Sequence, residues 1–164
     1  MKKTITLFSL FFISVTLHSQ VTSLQFENIK QLIKEADPKA NIDEKLILIS
    51  FWSPNNNESR QLNKEVNRVA NIYKNAKLRG GKNGMYFFNY CLSDDMMNYK
   101  MAVKRDSLNL NASLLQNNEN KIIINSIDPN HSLQTILFTS TGEVLETNTK
   151  KEDVFALILK QITR

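Results

Sequence analysis

Two spacings of apolar residues alternate along the chain and divide it into helices and strands. Phe26, Ile29, Leu32 and Ile33 recur at helical spacing, and Asp37-Pro38 predicts the end of that helix. Leu46 to Trp52 is a continuous apolar run with a single serine, short and rich in isoleucine and aromatic residues. Such a run predicts a strand buried on both faces, as in a parallel sheet. A helix is predicted over 57–76, where Leu62, Val66, Val69 and Tyr73 share one face. After Gly80-Gly81 and Gly84, Met85 to Cys91 reads as a second, aromatic-rich strand. Ser93-Asp94-Asp95 predicts the cap of a third helix carrying Met96, Met97, Met101 and Val103. The stretch 109–130 has the weakest pattern, with Ile122–Ile124 as a short strand. Thr135–Phe138 and Val144–Leu145 are predicted strands joined by Ser140-Thr141-Gly142, whose glycine suits the positive φ of a three-residue hairpin. Val154, Leu157, Ile158 and Ile162 mark a last helix, with Lys160 and Arg164 near its end to complement the dipole. This order implies an α/β fold: a mixed central sheet covered by helices on both faces.

The first residues follow a different rule. Lys2 and Lys3 precede an apolar segment from Ile5 to Leu17, which His18, Ser19 and Gln20 break. The segment falls short of the ~20 residues of a spanning helix and reads as a secretory signal over 1–20, with Ser19 near the cleavage point. The alternative is an uncleaved N-terminal anchor. No cysteine follows the run, so a lipid-anchored lipoprotein is excluded. Residues 21–164 then form a single exported domain, periplasmic or extracellular. Removing Lys2 and Lys3 takes the formal charge from +5 to +3, with the remaining lysines interleaved with acids. No basic stripe with aromatics stands out, which argues against nucleic-acid binding. Cys91 is the only cysteine, so no internal disulfide framework exists.

Specific residues sharpen the fold. Phe51-Trp52-Ser53-Pro54-Asn55-Asn56-Asn57-Glu58-Ser59-Arg60 resembles the strand-to-helix turn of exported bacterial thioredoxins, with the pattern F-W-A-x-W-C-P-P-C-R. Phe51, Trp52 and Arg60 match, while the two family cysteines fall on Asn56 and Ser59. It is similar as well to the cysteine-less F-W-[AS]-x-x-x-x-x-S-R turn of some exported anaerobe proteins. Gln134 to Gly142 resembles the family's Q-T-F-L-I-D-x-x-G hairpin, with Leu133 at its cis-proline position and Thr139 at its aspartate. The likeness covers roughly residues 44 to 163 and implies a thioredoxin-like three-layer fold.

The resemblance also implies a degenerate active-site turn: Asn55, Asn56, Asn57, Glu58, Ser59 and Arg60, faced by Leu133. A family thiol at this helix N-terminus is a low-pKa nucleophile. Asn56 has no sulfur, and the Ser59 hydroxyl cannot resolve a mixed disulfide. Both residue types are instead expected to cap the helix. At Leu133 a cis peptide costs about 2.5–4 kcal/mol, so a trans bond is expected and family-style substrate docking is weakened.

Cys91, at the end of an apolar strand without a nearby basic residue, is expected to be buried and inert; a peroxidatic or intermolecular-disulfide role is the alternative. His131 is the only histidine of the mature chain, which excludes multi-histidine metal sites. A hydrolytic Ser59–His131 pair oriented by Asp128 is the catalytic alternative, but no G-x-S-x-G elbow accompanies it. Trp52 and the aromatics of Met85–Tyr90 are expected in the core. Met96, Met97 and Met101 are expected to pack their helix inward, a partner surface being the alternative. Asp106-Ser107-Leu108 matches a short bacterial O-glycosylation pattern. The function expected is a non-catalytic exported module that binds a protein, peptide or glycan, or an accessory in an envelope complex, with no cofactor, no metal and no membrane contact after cleavage. Against it stands an enzyme using Ser59 with His131, or Cys91-dependent thiol chemistry.

Overall fold

All seven residues of the strand β1, Leu46–Trp52, are buried, as a strand covered on both faces requires. This holds in a computed structural model that describes residues 26–77, 84–108, 113–127 and 134–162. β1 is flanked by helix α1, described over 26–36, and by α2, Asn57–Tyr73. There follow β2 (Met85–Cys91), α3 (Met96–Asp106), β3 (Ser113–Leu115) and α4 (Asn118–Ile127). The hairpin β4 (Thr135–Phe138) and β5 (Val144–Thr147) precedes a short 3-10 turn, Lys151–Asp153, and α5, Val154–Gln161.

The sheet order is β3-β2-β1-β4-β5. β2 runs parallel to β1, from Leu46 opposite Met85 to Trp52 opposite Cys91. β4 is antiparallel on the other side, with Ile49 opposite Ile136. Alternation along β1 then sorts the core into layers. Ile47, Ile49 and Phe51 pack with Phe88, Tyr90 and Phe138 against α1 and α4. Leu46 and Leu48 face Leu62, Val66 and Val69 of α2 and Val154 and Ile158 of α5. Trp52 and Cys91, farther along the same face, lie under Ala102 of α3. The expected mixed sheet between two helical layers is therefore present.

Two predicted boundaries move. α2 ends at Tyr73 rather than at 76, and the Lys74 carbonyl accepts instead from the Met85 N–H at the start of β2. β5 runs on to Thr147, because Ile136 still pairs with Thr147.

Ile122–Ile124 is not a strand but part of α4. The Asn117 side chain accepts from the N–H groups of Glu119 and Asn120 and starts the helix. Ile124 and Ile127 then reach the core at a three-residue spacing, while Ile122 is 72% exposed. The Asn120 side chain is fully buried and accepts from the Tyr90 hydroxyl at 2.6 Å and the Asn117 N–H at 2.8 Å. A helical cap and a buried polar anchor outweigh the β preference of three consecutive isoleucines.

Gly142 adopts φ +90°, as the hairpin requires, and a Cβ there would lie 2.6 Å from the Phe26 ring. Left-handed strain and collision with a core aromatic act together. Gly142→Ala is expected to lower stability by about 2–4 kcal/mol, read from urea unfolding; a loss below about 0.5 kcal/mol would contradict the packing of α1 on the hairpin.

Candidate functional site

β1 and β2 are parallel, so their C-terminal ends open at one edge of the sheet, where ligands of open α/β folds usually sit. The chain leaves β1 at Trp52 and turns through Ser53, Pro54 and Asn55 into α2. Asn56 is the N-cap in an extended conformation (φ −102°, ψ 115°), and its Oδ1 accepts from the Ser59 N–H at 2.9 Å. The Ser59 Oγ accepts from the Ser53 N–H at 3.0 Å, tying the helix back to the strand exit. Both positions thus do capping work, Asn56 for the helix and Ser59 for the turn before it. Asn55, Asn56, Asn57 and Glu58 are exposed, and Ser59 and Arg60 half-buried.

Arg60 points away from the exposed tip. Its Nε and Nη2 donate to the two carboxylate oxygens of Asp106, the last residue of α3, at 2.8 and 2.7 Å. The side chains are only 12% and 7% exposed. Hydrogen bonding from Arg60 holds the Asp106 carboxyl below the usual carboxylate range, and the same bonds raise the Arg60 guanidinium. Asp106 also lines an open groove of about 550 Å³ walled by Lys64, Glu65, Arg68 and Lys151. Glu65 and Arg68 are themselves paired across this wall. Forty-six residues separate Arg60 from Asp106, and no pattern in the sequence announces the contact.

Because the folded Asp106 is more acidic than an unfolded aspartate, the stability it adds is present above the unfolded pKa, about 3.9. It fades as pH falls through the folded value. Asp106→Asn is expected to cost about 1–3 kcal/mol at pH 7, between the exposed and fully buried limits, because the pair is sheltered yet borders solvent. The variant's unfolding free energy should depend less on pH than wild type below about pH 4. Equal acid dependence in urea titrations would contradict this.

Beneath the turn, Trp52 is fully buried and its ring centroid lies 6.0 Å from that of Tyr99 on α3. Phe88 and Tyr90 are fully buried as expected, while Tyr86 and Phe87 reach only partial burial. Cys91 is fully buried beside Trp52, and burial pushes its thiol up to about 11. A reactive cysteine needs the reverse: exposure and a lowered pKa. Trp52 Nε1, Ser50 Oγ, Asn89 Oδ1 and both amide atoms of Asn63 are buried without a hydrogen-bond partner among the described residues.

His131, Asp128 and Leu133 lie outside the described residues, so the Ser59–His131 pair and the proline position have no geometry here. Met96, Met97 and Met101 do not pack inward: they are 49%, 73% and 62% exposed. α3 turns Tyr99, Ala102, Val103 and Asp106 to the domain instead. Within Asp106-Ser107-Leu108, Ser107 is exposed in a left-handed conformation that closes α3, while its two neighbours are buried. Among the described residues no group of three His, Cys, Asp or Glu side chains could hold a metal ion. No helix there is long and apolar enough to cross a membrane.

No protein-family model matches the chain, and no curated protein matches it. Solved structures do. The thioredoxin domain of a thiol-disulfide oxidoreductase from Bacteroides vulgatus superposes with a TM-score of 0.61 at 14% identity, over 74% of this chain and 82% of that one. A thioredoxin-like protein from Parabacteroides distasonis gives 0.59 at 19% identity, over 76% and 88%. A secreted disulfide oxidoreductase from Mycobacterium tuberculosis gives 0.55 at 12% identity, over 73% and 84%. The fold is thioredoxin-like. At such identities the likeness concerns the backbone, and chemistry has to be argued from side chains. This thioredoxin-like chain holds one cysteine, Cys91, so it cannot form a dithiol pair within itself.

Proposed function

We propose that residues 21–164 form a single exported thioredoxin-like domain, released from a signal over 1–20, that binds a protein or peptide without dithiol redox chemistry. The observation that carries this reading is the double capping of the turn. Asn56 and Ser59, at the positions that the resemblance gives to the cysteines, each spend a side-chain oxygen on a backbone N–H. A dithiol turn has become a structural one, and its outer residues Asn55, Asn56, Asn57 and Glu58 form a polar contact surface without a nucleophile. Thiol chemistry at Cys91 is opposed by its burial and raised pKa.

The test is incubation of the folded protein with glutathione disulfide, followed by intact mass spectrometry. No adduct is expected until denaturant is added, when Cys91 becomes modified. A mixed disulfide on the folded protein would contradict the reading, because it requires an accessible thiolate.

A further inference from the structure

The outer face of α3 is left uncovered by the described residues. Tyr99, Ala102, Val103 and Asp106 recur at helical spacing toward the domain, which leaves Met97, Lys100, Met101 and Lys104 along the opposite side. All four are exposed, and Met96 extends the stripe. Apart from the initiator and Met85 in the core, every methionine of the chain stands on this helix. Neither lysine takes part in an ion pair among the described residues.

Methionine is usually buried, and in solvent its long apolar chain gains little. Where it is exposed in clusters it adapts to varied partner surfaces. Thioethers also ligate soft cations, but Lys100 and Lys104 each stand three residues after a methionine, Met97 and Met101, on the same face and repel a cation. The same charges favour an anionic partner. A membrane surface fits less well. The stripe has no tryptophan, phenylalanine or leucine to insert, and exposed Asp94 and Asp95 at its start repel anionic headgroups.

We infer that the outer face of α3 docks an acidic, amphipathic segment of a partner protein, with Met97 and Met101 receiving its apolar side chains and Lys100 and Lys104 its carboxylates. This rests on the reading of the chain as a binding module and names the chemistry of what it binds.

The probe is a labelled synthetic helix with leucines on one face flanked by glutamates, titrated into the purified protein by fluorescence anisotropy. Its twin with lysine for every glutamate, and phosphatidylglycerol vesicles, are the comparisons. The acidic helix is expected to bind, more weakly as salt rises, and the basic twin is not. Met97→Ser with Met101→Ser, and separately Lys100→Glu with Lys104→Glu, should each weaken binding by about tenfold or more while leaving the melting curve unchanged. Absence of binding, binding that neither double variant weakens, or binding to vesicles alone would overturn the inference. So would self-association in sedimentation that Met97→Ser with Met101→Ser abolishes, since a second copy would then be the occupant. Loss of the inference in a protein still inert toward disulfides leaves the non-redox reading standing; catalysed disulfide reduction removes that reading whatever the helix does.

Discussion

Trp52→Ala is expected to lower the unfolding free energy by about 3–5 kcal/mol. The ring is fully buried under α3, against Tyr99, Cys91, Ala102 and Leu108, where β1 runs out into the turn. Removing it empties space that the paired ends of β1 and β2 cannot close without losing their register. Against a typical domain stability of about 5–15 kcal/mol, that is a large share. Trp52→Phe should cost less, because it keeps much of the apolar volume and removes Nε1, which has no partner among the described residues. Circular dichroism in urea is the appropriate probe, since Trp52 is the only tryptophan. A loss below about 1 kcal/mol for Trp52→Ala would mean that the ring does not anchor α3 over the site.

The second large effect is a gain of chemistry. Asn56→Cys combined with Ser59→Cys is expected to produce an internal disulfide that wild type cannot form. Asn56 is already the N-cap and Ser59 lies three residues on in the first turn, a separation within reach of a disulfide. The helix N-terminus should lower the first introduced thiol from about 8.5 toward neutrality. The double variant forfeits two caps, at about 0.5–2 kcal/mol each in the reduced state. Thiol counting after mild oxidation checks the outcome: one free thiol, that of Cys91, is expected where three are present after reduction. Three free thiols after oxidation would show that the turn lacks the spacing of a dithiol site.

How much could be read from the sequence depended on what each segment had to satisfy. Leu46–Trp52 was legible to the residue because a strand buried on both faces is an unbroken apolar run, and Met85–Cys91 because its aromatics carry the strand preference even where Tyr86 and Phe87 are only half-buried. The capping of Asn56 followed from residue type and position alone. The isoleucines of α4 misled because their own preference favours a strand, while Asn117 and the buried Asn120 impose a helix. α3 misled in another way. Its inner face is built from Tyr99, a small alanine and an aspartate, so hydrophobicity alone pointed to the methionines that in fact face solvent. Asp106 could not be foreseen as the partner of Arg60, since its burial makes sense only once α3 is folded across the sheet edge.

On the proposed reading, this thioredoxin-like scaffold works without thioredoxin chemistry. Dithiothreitol-driven reduction of insulin, followed by turbidity, tests it most directly, with wild type and the double cysteine variant side by side. Wild type should leave the reaction at its uncatalysed rate, and the double variant should raise it. Catalysis by wild type that Cys91→Ser abolishes would contradict the account.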